Sequence, residues 1–499
     1  MTEVIQFRKS ANQEFHEESA VDVLRTHVWQ ITIALLICAG IHLLFFGDYY
    51  YTFDDAYVFH VYARNLARGL GFSFNPGETS HAATPLLTFL LAAQHFLLGD
   101  GALVSGKAMN LVFSLISVIL LFLIAHRISS SSMIAFGAAL VWAASPLESI
   151  LSAGPQDFTL FTFLILLSLF LYLTRSRSLW TYLVLGLVIL ARYEGALFAG
   201  LMFLNHAYND YRRKDFRWST VVARMLVLAA LPLLWFSYIG THSTLIPSSG
   251  SAKLNPWALR KIPHFIAGMV FFFFPPLIAA AVIAAVSNLK ERVPSLMFLF
   301  IWVSFCLFFY GPFLDNRRYY AHLIPFIGLF SLIYLKSAAE KHIQSARWSQ
   351  VVLAGAAALS FAAYFSSSIY YYRQVHSENR MSAYPAYKQA GEWLKKNTRA
   401  DATVALEEIG VIPYFAERKI VDFSGWLDIE SKRFREKADG INPPMVEYLA
   451  GKRPDFLVIN TDLVTRARQE MIAGDPRFTL IQRIPVLERD SVLVYSCKW

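Results

Sequence analysis

Apolar runs long enough to cross a bilayer recur along this chain between short polar connections, and the pattern changes character only past residue 371. A bilayer core takes about 20 apolar helical residues. On that measure the runs predict helices over 28–46, 103–125, 133–149, 156–174, 179–191, 195–208, 219–239, 264–287, 294–312, 321–336 and 348–370. The pair 179–191 and 195–208 is short for two spans. The run 84–98 is shorter than a bilayer needs and reads as a juxtamembrane or re-entrant helix. Beyond 371, Tyr387–Asn397 has the period of an amphipathic helix. Thr403–Leu406, Lys419–Asp422 and Asp455–Asn460 read as strands, with 479–484 and 491–496 as a closing pair. Such alternation predicts one small α/β domain. The expected organisation is an N-terminal segment 1–27, a membrane module 28–371 with a large first loop 47–102, and an α/β domain 372–499.

Composition agrees with a polytopic α-helical membrane protein of about 11 spans. Hydrophobic residues make up 56% of the 499, mean hydropathy is +0.42, and 16% are charged, against about 25% in soluble domains. The net charge of +9 does not point to nucleic acid, because the basic residues are distributed between the apolar runs. With the N-terminus in the cytoplasm, Arg127, Arg175/Arg177, Arg212/Arg213/Lys214/Arg217, Lys290/Arg292 and Lys336/Lys341/Arg347 fall on the cytoplasmic side, as the positive-inside rule requires. Asp54/Asp55, Glu148, Arg192/Glu194, Lys253 and Asp315/Arg317/Arg318 then fall outside, together with the C-terminal domain. Phe45-Phe46-Gly47-Asp48 offers no small-residue cleavage site, so the first run reads as an uncleaved signal-anchor of the cytoplasmic membrane. Three cysteines, two of them inside apolar runs, define neither a disulfide framework nor a metal cluster.

The most distinctive chemistry is the acidic pair Asp54-Asp55, eight residues beyond the first run. Acids at a water–lipid boundary are costly unless used. Thr52-x-x-Asp55 also has the form of a helix-capping box. Alternatively, such a pair serves as general base toward a hydroxyl, or holds a divalent cation. Tyr57 and His60 follow on the same predicted helix and are expected to face the same cavity. His42, His60 and His81 have no metal-site spacing. Arg317-Arg318-Tyr319-Tyr320 lies just outside an apolar run; its arginines either bind a phosphate through their planar forks or snorkel to lipid headgroups. Lys253 is a second phosphate candidate, or an ordinary loop lysine. Arg192 and Glu194 interrupt an apolar stretch and are expected to pair. Asp157, after Gln156, either caps its helix or adds a polar group to the outer cavity. Glu407 and Glu408 end the first strand of the tail, where they meet a substrate or lie in a solvated loop.

The ordered set Asp54-Asp55-Ala56-Tyr57, Tyr62-Ala63-Arg64-Asn65-Leu66, Gly69-x-Gly71-Phe72-x-Phe74-Asn75-Pro76-Gly77-Glu78 and Thr84-Pro85-Leu86 resembles the first external loop of bacterial GT-C-fold glycosyltransferases. The nearest likeness is to the branch of mycobacterial-type arabinofuranosyltransferases, with aminoarabinose and protein mannosyl transferases more distant. Arg192-x-Glu194-Gly195, Leu245-Ile246-Pro247, Ala252-Lys253, Arg317-Arg318-Tyr319, Ala405-Leu406-Glu407-Glu408-Ile409-Gly410 and Val421-Asp422 continue it in order. The resemblance implies inverting transfer from a polyprenyl-phosphate sugar to a hydroxyl of a cell-envelope glycan, lipid or protein. It implies Asp54 as base with Asp55 second, and leaves room for a divalent cation at the pair. Donor phosphate would be held by Arg317, Arg318 and Lys253. Tyr57, His60, Asp157, Arg192, Glu194, Tyr319, Glu407 and Glu408 would line the substrate cavity. One departure stands out: relatives often carry Ser-Gly-Leu-Glu-Thr where this chain reads Ala153-Gly154-Pro155-Gln156-Asp157. A transporter or flippase of lipid-linked sugars is the alternative; such proteins favour repeated halves and mid-membrane charges, and no repeat is visible here.

Overall fold

Nineteen residues from Val28 to Phe46 form a helix without a single charge, its exposed positions occupied by Trp29, Leu36 and Leu43. Side chains of that kind belong against lipid rather than water. In this computed structural model, the described residues are 19–46, 54–78, 82–174, 178–242, 321–343, 345–377, 383–427, 431, 443–461, 464, 466–486 and 490–499. The chain begins with α1 (Ala20–Thr26) and α2 (Val28–Phe46), and the first loop contributes α3 (Asp54–Ala67) and α4 (Pro85–Leu98). The bundle continues with α5 (Ala102–Ser129), α6 (Ser132–Ala143), α7 (Pro146–Ser152), α8 (Asp157–Thr174), α9 (Leu179–Ala191), α10 (Gly195–Arg212) and α11 (Trp218–His242). It closes with α12 (Ile324–His342) and α13 (Ala346–Ser377). Among the described residues five helical stretches are long and apolar enough to cross a membrane, or six if the bent pair α6–α7 counts as one. The chain is a multi-pass membrane protein. The runs predicted at 264–287 and 294–312 lie outside the described residues.

The single span expected over 133–149 is instead broken. Ser145 accepts a hydrogen bond from the Glu148 backbone and Pro146 occupies the first helical turn, so a new helix starts there. It leaves α6 at a bend of 52°. The bend carries Glu148, expected in an external connection, into the interior, where it is wholly buried. Close crossings hold the bundle. A Cβ on Gly186 of α9 would stand 2.6 Å from the Leu228 carbonyl oxygen of α11, so only glycine lets the two backbones meet.

The C-terminal domain comprises α14 (Ala383–Asn397), β1 (Thr403–Leu406), α15 (Val411–Ala416), β2 (Lys419–Asp422), α16 (Pro443–Lys452), β3 (Phe456–Asn460), α17 (Arg466–Gly474), β4 (Phe478–Pro485) and β5 (Ser491–Cys497). Its five-stranded sheet has the order β2-β1-β3-β5-β4. β1 is parallel to both β2 and β3, whereas β5 is antiparallel to β3 and β4. The buried runs Val404–Leu406 and Leu457–Asn460 mark β1 and β3 as the central strands, covered on both faces as parallel strands are. β2 is an edge strand, and its free side is where the first loop docks.

Candidate active site

The turn Asn75-Pro76-Gly77-Glu78 joins the first loop to the C-terminal domain. Proline presets the second position and Gly77, at φ +81°, supplies the left-handed third position of a type II turn. The turn closes through the Glu78 backbone N–H donating to the Asn75 carbonyl at 3.0 Å. That geometry presents the Asn75 amide to the edge of β2. Its Nδ2 donates to the Ile420 carbonyl at 2.8 Å and its Oδ1 accepts from the Ile420 N–H at 2.9 Å. A side-chain amide thus takes the place of a neighbouring strand and covers an edge that would otherwise invite pairing. Beside it, Lys419 pairs with Glu78 at 2.5 Å.

The first-loop helix α3 lies on α15. Arg64 donates to the Tyr414 carbonyl at 2.6 Å, with its guanidinium 4.6 Å from the centre of the Tyr414 ring. Glu417 gathers three cations: Arg68 at 2.8 Å, Lys395 at 2.5 Å and Arg64 at 3.7 Å. Burial alone would raise the Glu417 carboxyl, but hydrogen bonds from Lys395 and Arg68 and the charge of Arg64 draw it down to about 2. Tyr57 packs edge-on against Tyr414 at 5.6 Å, and His60 shares a 2.9 Å hydrogen bond with His95 of α4. Both are buried. Tyr57 and His60, expected to line the substrate cavity, are therefore set in the contact that seats α3 on the domain. Asp54 is the first residue of α3, and Asp55 beside it is exposed. The pair therefore opens the first turn of α3.

A second constellation sits where α4, α8, α9 and α10 meet. Arg192 Nη1 reaches Asp157 at 2.7 Å and its Nε reaches Glu194 at 2.5 Å, all three side chains being largely buried. The guanidinium lies 4.0 Å above the Phe158 ring. The α9–α10 turn holding Arg192 and Glu194 is tight because Gly195 packs where a Cβ would be 2.6 Å from the Val188 carbonyl. Thr84 donates to Asp157 at 3.3 Å, and two residues earlier the Ala82 N–H donates to the Tyr62 hydroxyl of α3 at 3.2 Å. Tyr193 accepts from Trp235, whose ring packs on Phe72. The segment 82–84 therefore ties the acid-bearing helix to the Asp157–Arg192–Glu194 network. The pairing of Arg192 with Glu194 matches expectation, and Asp157, standing one residue beyond the missing acid at Gln156, joins it.

Glu407 and Glu408 follow β1 and line a cleft with Tyr387, Ile412 and Asn460 at the ends of β1 and β3. The cleft is only about 10 Å³, about the size of one water. Lys253, Arg317, Arg318 and Tyr319 lie outside the described residues. Arg64, Asn75, Thr84 and Glu417 carry contacts that no assigned role anticipated. For Arg64 and Asn75 the only signal was membership of the first-loop motif. Among the described residues no group of three or more His, Cys, Asp or Glu side chains could hold a metal ion. A divalent cation at Asp54 and Asp55 would need ligands from elsewhere.

This arrangement, a helical membrane bundle whose first loop is clasped by a small C-terminal α/β domain, is the GT-C fold. Solved structures of the same shape include ArnT from Cupriavidus metallidurans bound to undecaprenyl phosphate, with TM-score 0.60, 12% identity, and coverage of 94% of this chain and 98% of that one. The Archaeoglobus fulgidus oligosaccharyltransferase in complex with zinc and sulfate superposes with TM-score 0.57 at 14% identity, over 94% of this chain and 73% of that one. Residues 370–495 match a family described as a domain of unknown function, DUF8728. No curated protein matches the sequence.

Proposed function

We propose that this chain is an inverting glycosyltransferase of the cytoplasmic membrane that moves a sugar from a polyprenyl-phosphate donor to a hydroxyl on a cell-envelope glycan, lipid or protein outside. The observation that carries this reading is the likeness, over nearly the whole chain, to a fold seen with undecaprenyl phosphate in ArnT, combined with two acids at the head of the first-loop helix. In this reading Asp54, with Asp55 in support, takes the proton of the acceptor hydroxyl as its oxygen attacks the anomeric carbon. The transition state gains oxocarbenium character while the phosphate departs. Arg317, Arg318 and Lys253 stabilise the charge gathering on that phosphate. The Asp157–Arg192–Glu194 network fixes the floor against which α3 and α4 are set. The sugar moved is a hexosyl or pentosyl unit, the likeness of the first loop to arabinofuranosyltransferases supporting a pentosyl donor as one of the two.

The test is sugar transfer in membranes from a polyprenyl-phosphate donor. Asp54→Asn is expected to lose about 10²–10⁴-fold in rate, the usual contribution of a positioned base, with normal membrane insertion. Near-normal transfer by that variant removes Asp54 as the base. Arg317→Ala and Arg318→Ala are expected to raise the donor concentration needed for half-maximal rate.

A further inference from the structure

A cavity separate from the Asp157–Arg192 network opens between the C-terminal end of α3 and the α/β domain. It encloses about 300 Å³, and its walls carry Arg64, Arg68, Arg418 and Lys419 against only Asp401 and Glu417. Two positive charges are thus in excess. A contact that served only to hold two domains together would need balance, not surplus. Arg418 commits its N–H donors to the Thr398 hydroxyl and to the carbonyls of Lys395, Thr398, Ala416 and Glu417, so it supplies charge and rigidity. Arg68 is half-exposed and is bonded through one nitrogen to Glu417. Arg64, 6% exposed, spends Nη1 on the Tyr414 carbonyl and lies 3.7 Å from Glu417, so it adds charge from within the wall. The lowered pKa of Glu417, drawn down by Lys395, Arg68 and Arg64, goes with the same gathering of cations.

We propose that this cavity is an anion site, taking a phosphate or carboxylate carried by the acceptor glycan or by a lipid headgroup. Arg68 lies about 20 Å along the helix axis from Asp55 at 1.5 Å per residue, so an anion held there would be several sugar units from the reacting hydroxyl. Anion binding stands on the cavity itself; its use in presenting an acceptor rests on the transfer reading above.

The test uses the full-length protein in phosphatidylcholine nanodiscs, titrated calorimetrically with a galacturonic acid oligomer and with inorganic pyrophosphate. Saturable binding that weakens with salt is expected, and the double variant Arg68→Gln/Lys419→Gln should bind about tenfold more weakly, as loss of charged hydrogen bonds implies. Both side chains are half-exposed and their ion pairs contribute little to folding; an unchanged melting temperature confirms an intact fold. Arg466→Gln, at an exposed arginine on α17, should bind like the parent. Equal affinity in the double variant and the parent, or no saturable binding of either probe, overturns the proposal. Repeating the titration in nanodiscs containing phosphatidylglycerol separates the sources: competition assigns the site to a headgroup, and its absence to a soluble glycan. Probe binding without sugar transfer would keep the anion site and discard the transferase reading. Transfer without probe binding would do the reverse.

Discussion

At the scale of single residues, Glu148 and Arg192 show two ways an interior treats charge. Arg192 is matched on both sides, by Asp157 and Glu194. Replacing it by leucine would leave two carboxylates facing each other in a dry setting, which typically costs about 3–5 kcal/mol. Arg192→Leu is therefore expected to melt well below the parent in detergent, and an unchanged melting temperature would mean the network is solvated. Glu148 is the opposite case. Its carboxyl is wholly buried, and the groups that reach it are the hydroxyls of Ser114 and Thr159. Two neutral hydroxyls do not repay the burial of a carboxyl, so Glu148→Leu is expected to raise the melting temperature. A fall would show that the carboxyl is held by groups beyond those described. Arg192 was legible in the sequence because a cation and an anion two residues apart in an apolar run must be reconciled. The burial of Glu148 was not, because nothing in a hydropathy pattern reveals that Ser145 and Pro146 restart the helix at 52°.

At the scale of elements, the seat of α3 on α15 is expected to weaken with acid. Glu417 titrates near 2 when folded against about 4.5 free. The depressed value means that its contribution is present above pH 4.5 and is lost as the pH falls from there toward 2. His60 is held well below 6.5, first by burial and then by the charges of His95 and Arg64. A histidine kept neutral by folding contributes fully above pH 6.5, and that contribution declines as the pH falls below it. Both signs agree. Protection of the amides in 57–68, after correction for the intrinsic pH dependence of exchange, is expected to fall in two stages on acidification, the first below pH 6.5 and the second below 4.5. Glu417→Gln should remove the second stage and keep the first. Corrected protection that stays flat from pH 7 to 2 would place both groups in water. The strands of the tail were legible because alternation and β-branched runs are local properties. The docking was not, since it joins residues about 350 positions apart, as Arg64 with Tyr414 and Asn75 with Ile420.

At the scale of the molecule, the acid-bearing helix is held from two sides. One hold is the bundle, through Tyr62, Ala82, Thr84 and Asp157; the other is the C-terminal domain, through Asn75, Arg64 and Glu417. Membrane spans and a small α/β domain could be read from periodicity alone, because apolar length and strand alternation need no tertiary context. How the two parts meet could not, because the joint is made by side chains about 350 positions apart, the Asn75 amide on its type II turn and Arg64 among them. Asn75→Ala keeps the turn residues Pro76 and Gly77 but removes both bonds to Ile420. Each bond lost from a buried backbone group costs about 1–3 kcal/mol. If domain and loop move as one body, exchange should quicken together in 69–78 and in 419–422, on opposite sides of the joint. On the proposed transfer reaction, sugar transfer should fall as well with the donor concentration for half-maximal rate unchanged, because that reading assigns α3 to the base and the phosphate to other residues. Quickening confined to 69–78 would show instead that Arg64 and Glu417 suffice to seat the domain, and that the turn is an accessory to a joint made by charge.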